Sequence, residues 1–165
     1  MDVTRICRHL AMSRGRVSRA FPPAARGAIE RAIKASEATH AGEIRFVVEG
    51  SLDGAPLFGG HSAKERAIDL FSRLRMWDTE HNSGVLIYLL LADRQVEIIA
   101  DRGIHEKAGS GTWQSVCREM EGFFRKSDFE AGAVAGIRAV ARQLAQHFPA
   151  PTGARNELPD EAVLL

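Results

Sequence analysis

The chain has 165 residues, with 22 Lys and Arg against 21 Asp and Glu, so its formal net charge is +1 at pH 7. This length fits one domain with its own hydrophobic core. Apolar residues make up 45% and charged residues 26%, which excludes an intrinsically disordered chain. The near-neutral charge gives no case for a nucleic-acid partner.

The two cysteines, Cys7 and Cys117, do not form a CxxC motif, which argues against a disulfide scaffold or a structural zinc site. The longest apolar run, residues 85–92, has the length of a strand and is too short for a membrane span. The first residues carry scattered polar side chains, unlike a signal peptide. From these features we expect a cytoplasmic protein without a transmembrane segment.

The first half of the chain predicts two helices, a strand and a further helix. Asp2 is placed to cap a short helix over residues 3–10, and an arginine-rich stretch follows it. The Pro22-Pro23 pair starts a helix over residues 24–40, and Glu43–Glu49 alternates as a strand. The glycine-rich residues 50–61 indicate a loop, and Ser62 with Glu65 forms a capping box that opens the next helix.

The second half predicts a hairpin, two helices and a tail. Residues 85–91 are apolar on both faces, as in a covered central strand, and residues 95–100 return antiparallel to them. Thr112 is placed to cap a helix that ends near residue 124, and Asp128 a helix that ends near residue 147. The expected division is a basic helix and arm over 1–23, an α/β domain over 24–148 and an extended tail over 149–165. Strand–helix–strand followed by a hairpin predicts a three-layer α/β/α sandwich with a small mixed β-sheet.

Polar side chains gather at one end of that predicted sheet. The start of the first strand, the loop before the second and the exit of the third share this end. Their polar residues are Glu43, Asp78, Glu80, Asn82 and Asp101, and Glu37, late in the helix over 24–40, is expected to point there too. Such oxygen ligands suit Ca²⁺ or Mg²⁺. The alternative is a simple turn at Asn82 with solvated acids around it. An EF-hand is excluded, because Gly84 comes one place late and Leu89 stands where the bidentate Glu belongs.

Other candidates carry less chemistry. His81 and His105 are placed in loops at the same end, as acid–base groups or as exposed histidines. Residues 109–112 open a helix but lack the lysine of a P-loop and the spacing of a dinucleotide fingerprint. Trp77 and Trp113 are expected in the core or in a cleft wall. No nucleophile-elbow or metalloprotease motif is present in the sequence.

Three segments together resemble the TPM domain, a family named for a thylakoid lumen protein, a photosystem II repair protein and a modulator of acetylcholine-receptor levels. They read EATHAGEI from Glu37, MWDTEHNSGVLI from Met76 and DRQVEIIADRGI from Asp93. The resemblance covers about residues 25–148 and is greatest to the cytosolic bacterial branch. In this chain Ser83 separates Asn82 from Gly84, where an adjacent Asn-Gly is commoner, and DRGI replaces the GYGL of anchored members.

The resemblance implies a Rossmann-like α/β/α sandwich whose cleft binds a divalent cation. Two segments of the family lie at the rim, which is the end of the sheet described above. Asn82 and Gly84 match one of them, and Asp101 and Gly103 match the other. Asp78 and Glu43 are placed beside them by position, and Glu37 completes the expected metal set. It implies either an interaction or assembly and repair module with a protein partner, or a phosphatase acting on phosphate esters. For the phosphatase, Asp101 or Asp78 would orient water and Arg102 would offset phosphoryl charge. A third hypothesis is peripheral membrane contact through the basic N-terminal arm.

Overall fold

A computed structural model describes residues 3–150 and 158–165. Their helices are α1 (Val3–Leu10), α2 (Arg14–Ala20), α3 (Pro23–Glu37), α4 (Gly54–Phe58), α5 (Ala63–Arg73), α6 (Arg102–Ala108), α7 (Ser110–Arg125) and α8 (Phe129–His147). Their strands are β1 (Glu43–Glu49), β2 (Gly84–Leu90), β3 (Gln95–Ala100) and β4 (Val163–Leu164). Asp2, the expected cap of the first helix, lies outside the described residues.

The strands form one mixed sheet in the order β3-β2-β1-β4. β1 and β2 are parallel, with Glu43 opposite Gly84 and Glu49 opposite Leu90, while β3 runs antiparallel to β2. Both central strands are buried along their whole length. The predicted parallel pair and hairpin are confirmed, and they put the start of β1 and the exit of β3 at the same end of the sheet.

Helices cover both faces of the sheet, so the predicted α/β sandwich is confirmed. On one face, alternate β1 and β2 residues such as Phe46 and Ile87 pack in a core with the inner sides of α3, α7 and α8. On the other face, Val47, Tyr88 and their neighbours pack against α4 and α5. Because successive side chains of a strand point to opposite faces of the sheet, each apolar strand contributes residues to both cores.

Several predicted segments differ from the structure. The loop over 50–61 contains α4, which buries Leu57, and the stretch after β3 forms α6. The arginine-rich stretch forms α2, whose Val17 reaches the core. Thr112 does not cap α7, because its hydroxyl donates to the Ala108 carbonyl at 2.7 Å and the helix already begins at Ser110. Asp128 stands at the start of α8, but its side chain accepts no capping hydrogen bond there.

The N-terminal helix is anchored to the fold at the β2–β3 turn. Arg5 donates from Nε to Asp93 Oδ2 at 2.8 Å, and Nε2 of the buried His9 lies 3.2 Å from the same oxygen. Burial acts to raise the pKa of Asp93, but hydrogen bonds from Arg5 and His9 outweigh it and lower the pKa.

Within the described residues, no helix combines the length and the apolar content that crossing a bilayer requires.

The expected C-terminal tail contributes a strand. Val163 and Leu164 pair in parallel with Val47 and Val48, and Gly50 N–H donates to the Leu165 carbonyl at 3.2 Å. The segment from Leu158 therefore covers the edge that β1 would otherwise expose. Residues 151–157 of that tail lie outside the described residues.

Candidate functional site

The loop before β2 and the exit of β3 are tied together at one end of the sheet. Asp101 N–H donates to the Gly84 carbonyl at 2.8 Å, and Ile104 N–H donates to the Asn82 carbonyl at 3.3 Å. Asn82 takes a left-handed conformation with φ of 49°, which Asn tolerates better than most residues. Both rim segments identified from the sequence therefore meet, and their backbones hold one another in place.

Gly103 makes this contact sterically feasible. A Cβ atom on Gly103 would lie 2.6 Å from the Asn82 carbonyl oxygen and 2.9 Å from that of His81. Gly84 is equally confined, since a Cβ there would collide with the Met76 carbonyl. Because these two glycines have no side chain, α6 can approach the loop at His81 and Asn82, and the start of β2 can approach Met76, more closely than any other residue would permit.

Asp101 has one satisfied and one unsatisfied carboxylate oxygen. Its Oδ1 accepts the Arg102 N–H at 2.7 Å and caps α6. Its Oδ2 is shielded from solvent and has no hydrogen-bond partner within the part of the chain that the structure describes. A buried carboxylate oxygen normally has a donor or a cation, because leaving it unpaired costs free energy. Together with Glu37 Oε1, which is likewise shielded and unpartnered among the described residues, this oxygen indicates a candidate ligand position at this end of the sheet.

The loop beside Asp101 is open to solvent. Asp78, His81 and Asn82 are exposed, while the Thr79 hydroxyl accepts the Ser83 N–H at 3.1 Å and closes the turn. Trp77, expected in the core or in a cleft wall, is 54% exposed. A large indole is therefore presented to solvent in the same loop as Asp78 and Asn82.

Glu37 and Glu43 belong to a second carboxyl cluster, which includes Asp160 of the C-terminal segment. Burial, a hydrogen bond with Asp160 and the charges of Asp160 and Glu43 raise the pKa of Glu37 to about 8. The buried Arg45 is attracted to Asp160 and Glu43 and donates to the Pro159 carbonyl. This cluster holds the last residues of the chain against the start of β1.

The predicted metal set is thus distributed over two neighbourhoods. Asp101 lies beside Asn82 and its loop, whereas Glu37 shares a hydrogen bond with Asp160 and its charge interacts with that of Glu43. In the parts of the chain that the structure describes, no three His, Cys, Asp or Glu side chains are grouped to share a metal ion. Arg102, the predicted charge-offsetting residue, is exposed on the first turn of α6.

A model of the TPM domain matches residues 18–143. The chain belongs to the TPM domain family. Its fold is similar to the NMR structure of the BA42 protein from the psychrophilic bacterium Bizionia argentinensis, with a TM-score of 0.75 and 29% sequence identity. The similarity covers 86% of this chain and 92% of BA42. No curated protein sequence matches the chain significantly.

The remaining candidates are part of the helical framework of this TPM domain. His105 lies in α6, exposed, and its carbonyl accepts the Gly109 N–H at 2.9 Å. Gly109 joins α6 to α7 with φ of 78°, so the glycines at 109–112 make a tight helix junction. Trp113 is buried, as expected.

Sequence reasoning missed a buried polar network in this TPM domain. The Glu49 carboxylate accepts the Tyr88 hydroxyl at 2.7 Å and is bound by Arg66 through Nε and Nη2, both at 2.8 Å. The signal was present in the sequence, because a glutamate ends one apolar strand and a tyrosine interrupts the other. Only their parallel register brings them together.

Proposed function

We propose that this TPM domain binds a divalent cation at the β3 exit and thereby orders a loop that a protein partner recognises. Asp101 is the central ligand, and Asn82 and Asp78 lie on the adjoining loop. The observation that carries the proposal is the buried Oδ2 atom of Asp101, which has no hydrogen-bond partner among residues 3–150 and 158–165. A cation would satisfy this oxygen without disturbing the Oδ1 cap of α6.

The donor set fits the chemistry of Ca²⁺ or Mg²⁺. Carboxylate and amide oxygens are the ligands that these hard cations prefer, and Mg²⁺ sites commonly use one or two carboxylates and complete the shell with water. Glu37 and Glu43 are left out of the proposed set, because Glu37 already shares a hydrogen bond with Asp160 and Glu43 lies in the same carboxyl cluster.

Trp77 supports the partner part of the proposal. Its indole is 54% exposed, although tryptophan normally buries most of its surface. Tryptophan is enriched among the residues that dominate protein interfaces. Its position one residue before Asp78 means that ordering this loop would also fix the indole.

The test is a titration with Ca²⁺ and with Mg²⁺, in which thermal unfolding and the backbone amide chemical shifts are measured. At about one hundred times Kd, a cation that binds only the folded state adds about 2.7 kcal/mol of stability. We expect wild type to show this gain, with shifts at residues 78–84 and 101–104. Asp101→Asn keeps the Oδ1 cap but removes the carboxylate charge. This variant should show neither the gain in stability nor the amide shifts.

Asp53→Asn is the matched control, because Asp53 also precedes a helix but is exposed and makes no side-chain cap there. It should respond as wild type does. Absence of any response at about 10 mM cation, tenfold above the weakest usual calcium sites, would refute the cation site. An equal response of Asp101→Asn would place the cation elsewhere.

Two further measurements separate the roles. Acrylamide quenching reports mainly Trp77, because Trp113 is 4% exposed, and cation binding should change it. Unchanged quenching would contradict ordering of the loop. Cation-dependent hydrolysis of p-nitrophenyl phosphate that is lost in Asp101→Asn would replace the interaction module with the phosphatase alternative.

A further inference from the structure

A cavity of about 570 Å³ lies at the opposite end of the sheet from Asp101. Its walls come from α2, the start of α3, the β2–β3 turn and the first turn of α8. Leu91 follows the last residue of β2, so the cavity opens at the carboxyl ends of the parallel strands. In open α/β sheets this is the end at which ligands bind, and the volume is that of a small-molecule site.

Three arginines, Arg16, Arg19 and Arg94, are among the residues that line this cavity. None of them forms an ion pair with an acid in the described ranges 3–150 and 158–165, whereas Arg5 and Arg66 are paired with Asp93 and Glu49. Two exposed acids, Asp128 and Glu130, also lie on the wall, so the lining keeps an excess of positive charge.

Arg94 is held in place within the turn. Its Nη1 donates to the Arg125 carbonyl at 3.2 Å, and its backbone takes a left-handed φ of 51°. That conformation costs free energy for a residue with a Cβ atom and favours glycine or asparagine. The turn therefore holds an arginine beside the cavity at a position where glycine or asparagine would cost less free energy.

The floor between the arginines is apolar. Leu91 is 6% exposed, Met12 and Ala20 are half-buried, and the Phe129 ring packs against Phe21 at 5.6 Å between centroids. An apolar floor with a few convergent charged groups is the usual composition of a small-molecule site. Met12 and Arg16 precede residue 18, where the match to the TPM model begins, so part of this wall lies outside the matched segment.

We propose that this cavity binds a small organic phosphate, a dianionic phosphate or phosphonate group joined to a planar apolar body. Arginine is suited to the anion because its planar fork donates two parallel hydrogen bonds to phosphate oxygens. The apolar body would cover Leu91, Ala20 and Phe129. The site does not depend on the cation proposal, because it lies at the other end of the sheet.

The probe is phenylphosphonate, whose carbon–phosphorus bond cannot be hydrolysed as a phosphate ester. Titrated into the full chain, it should shift the backbone amides of residues 12–20, 91–94 and 127–130. Inorganic phosphate and phenol, which each carry half of the ligand, should bind at least about tenfold more weakly. Arg16→Gln combined with Arg19→Gln removes two exposed charges and should weaken binding by at least about tenfold.

Arg31→Gln combined with Arg138→Gln is the control, because these exposed arginines line the neighbouring groove between α3 and α8. It changes the net charge equally and should bind as wild type does. An equal loss in both double variants would reduce the effect to net charge and overturn the site. The site would also be overturned if the probe at millimolar concentration caused no amide shifts, or caused them only at other residues.

Discussion

The contact between Gly103 and the Asn82 loop makes a sharp test of how the rim is built. Gly103→Ala places a Cβ atom 2.6 Å from the Asn82 carbonyl oxygen and 2.9 Å from that of His81. Both obstacles are backbone atoms, which cannot rotate away as a side chain would. The loop and α6 must therefore separate, and the 3.3 Å hydrogen bond from Ile104 N–H to the Asn82 carbonyl is stretched or broken.

The magnitude follows from three contributions. Forcing a methyl group into a filled space costs about 1–3 kcal/mol, and a lost hydrogen bond about 1 kcal/mol. Replacing a helical glycine with alanine returns about 0.5–1 kcal/mol. The free energy of unfolding should therefore fall by about 1–3 kcal/mol. For a chain of this size each kcal/mol lowers Tm by about 2–4 °C.

Gly111→Ala is the internal control for this prediction. Gly111 is the second residue of α7 as Gly103 is of α6, but outside its own helix a Cβ there would meet no atom of the described residues within 4 Å. Urea unfolding at pH 7 should show Gly103→Ala less stable than wild type and Gly111→Ala equal to it or more stable. If both substitutions changed stability equally, the close approach of loop and helix would be refuted.

Two further predictions concern buried polar groups. Tyr88→Phe removes one hydrogen bond to the Glu49 carboxylate, which Arg66 still binds, so urea unfolding should show a loss of about 1–2 kcal/mol; a change near zero would mean that the hydroxyl contributes nothing. Burial and Asp160 raise the pKa of Glu37 from its ordinary 4.5 to about 8, so the folded state retains a proton that the unfolded state releases. Stability of wild type relative to Glu37→Gln should therefore fall from about pH 5 to 8 and then level off, whereas a pH-independent difference would contradict the Glu37–Asp160 pair.

The first three strands of the sheet could be predicted almost residue by residue. β1 and β3 have the predicted bounds, and β2 begins and ends one residue earlier than expected. These strands are apolar stretches bounded by turn residues, and both signals are local. Parallel pairing followed from the crossover between β1 and β2, which is nearly always right-handed.

The short elements could not be predicted, because tertiary contacts create them. α4 has five residues, begins with Gly54 and contains Pro56, so its composition is that of a loop; burial of Leu57 fixes it. α6 contains Gly103, whose low helix propensity hides the capping signal of Asp101. β4 is two residues long and exists through its pairing with β1.

The candidate site was predicted in part for the same reason. Strand order was enough to place Asp101 and Asn82 at one end of the sheet. It did not reveal that Asp160, far along the chain, returns to Glu37 and Glu43 and draws them into another cluster. A carboxylate can be assigned to a sheet end from local patterns, but its partner depends on where the C-terminal segment lies.

The net charge of +1 conceals two differently charged ends of one sheet. Asp101 and its loop lie at the start of β1 and β2, while Arg16, Arg19 and Arg94 surround the cavity beyond their carboxyl ends. Seven residues of strand at about 3.3 Å each separate these ends by about 20 Å. A phosphoryl group is only a few ångströms across, so a phosphatase centred on Asp101 could not use those arginines. The fold therefore separates the proposed cation ligands from the arginines of the proposed phosphate site, and a phosphate bound in the cavity would not be in contact with Asp101.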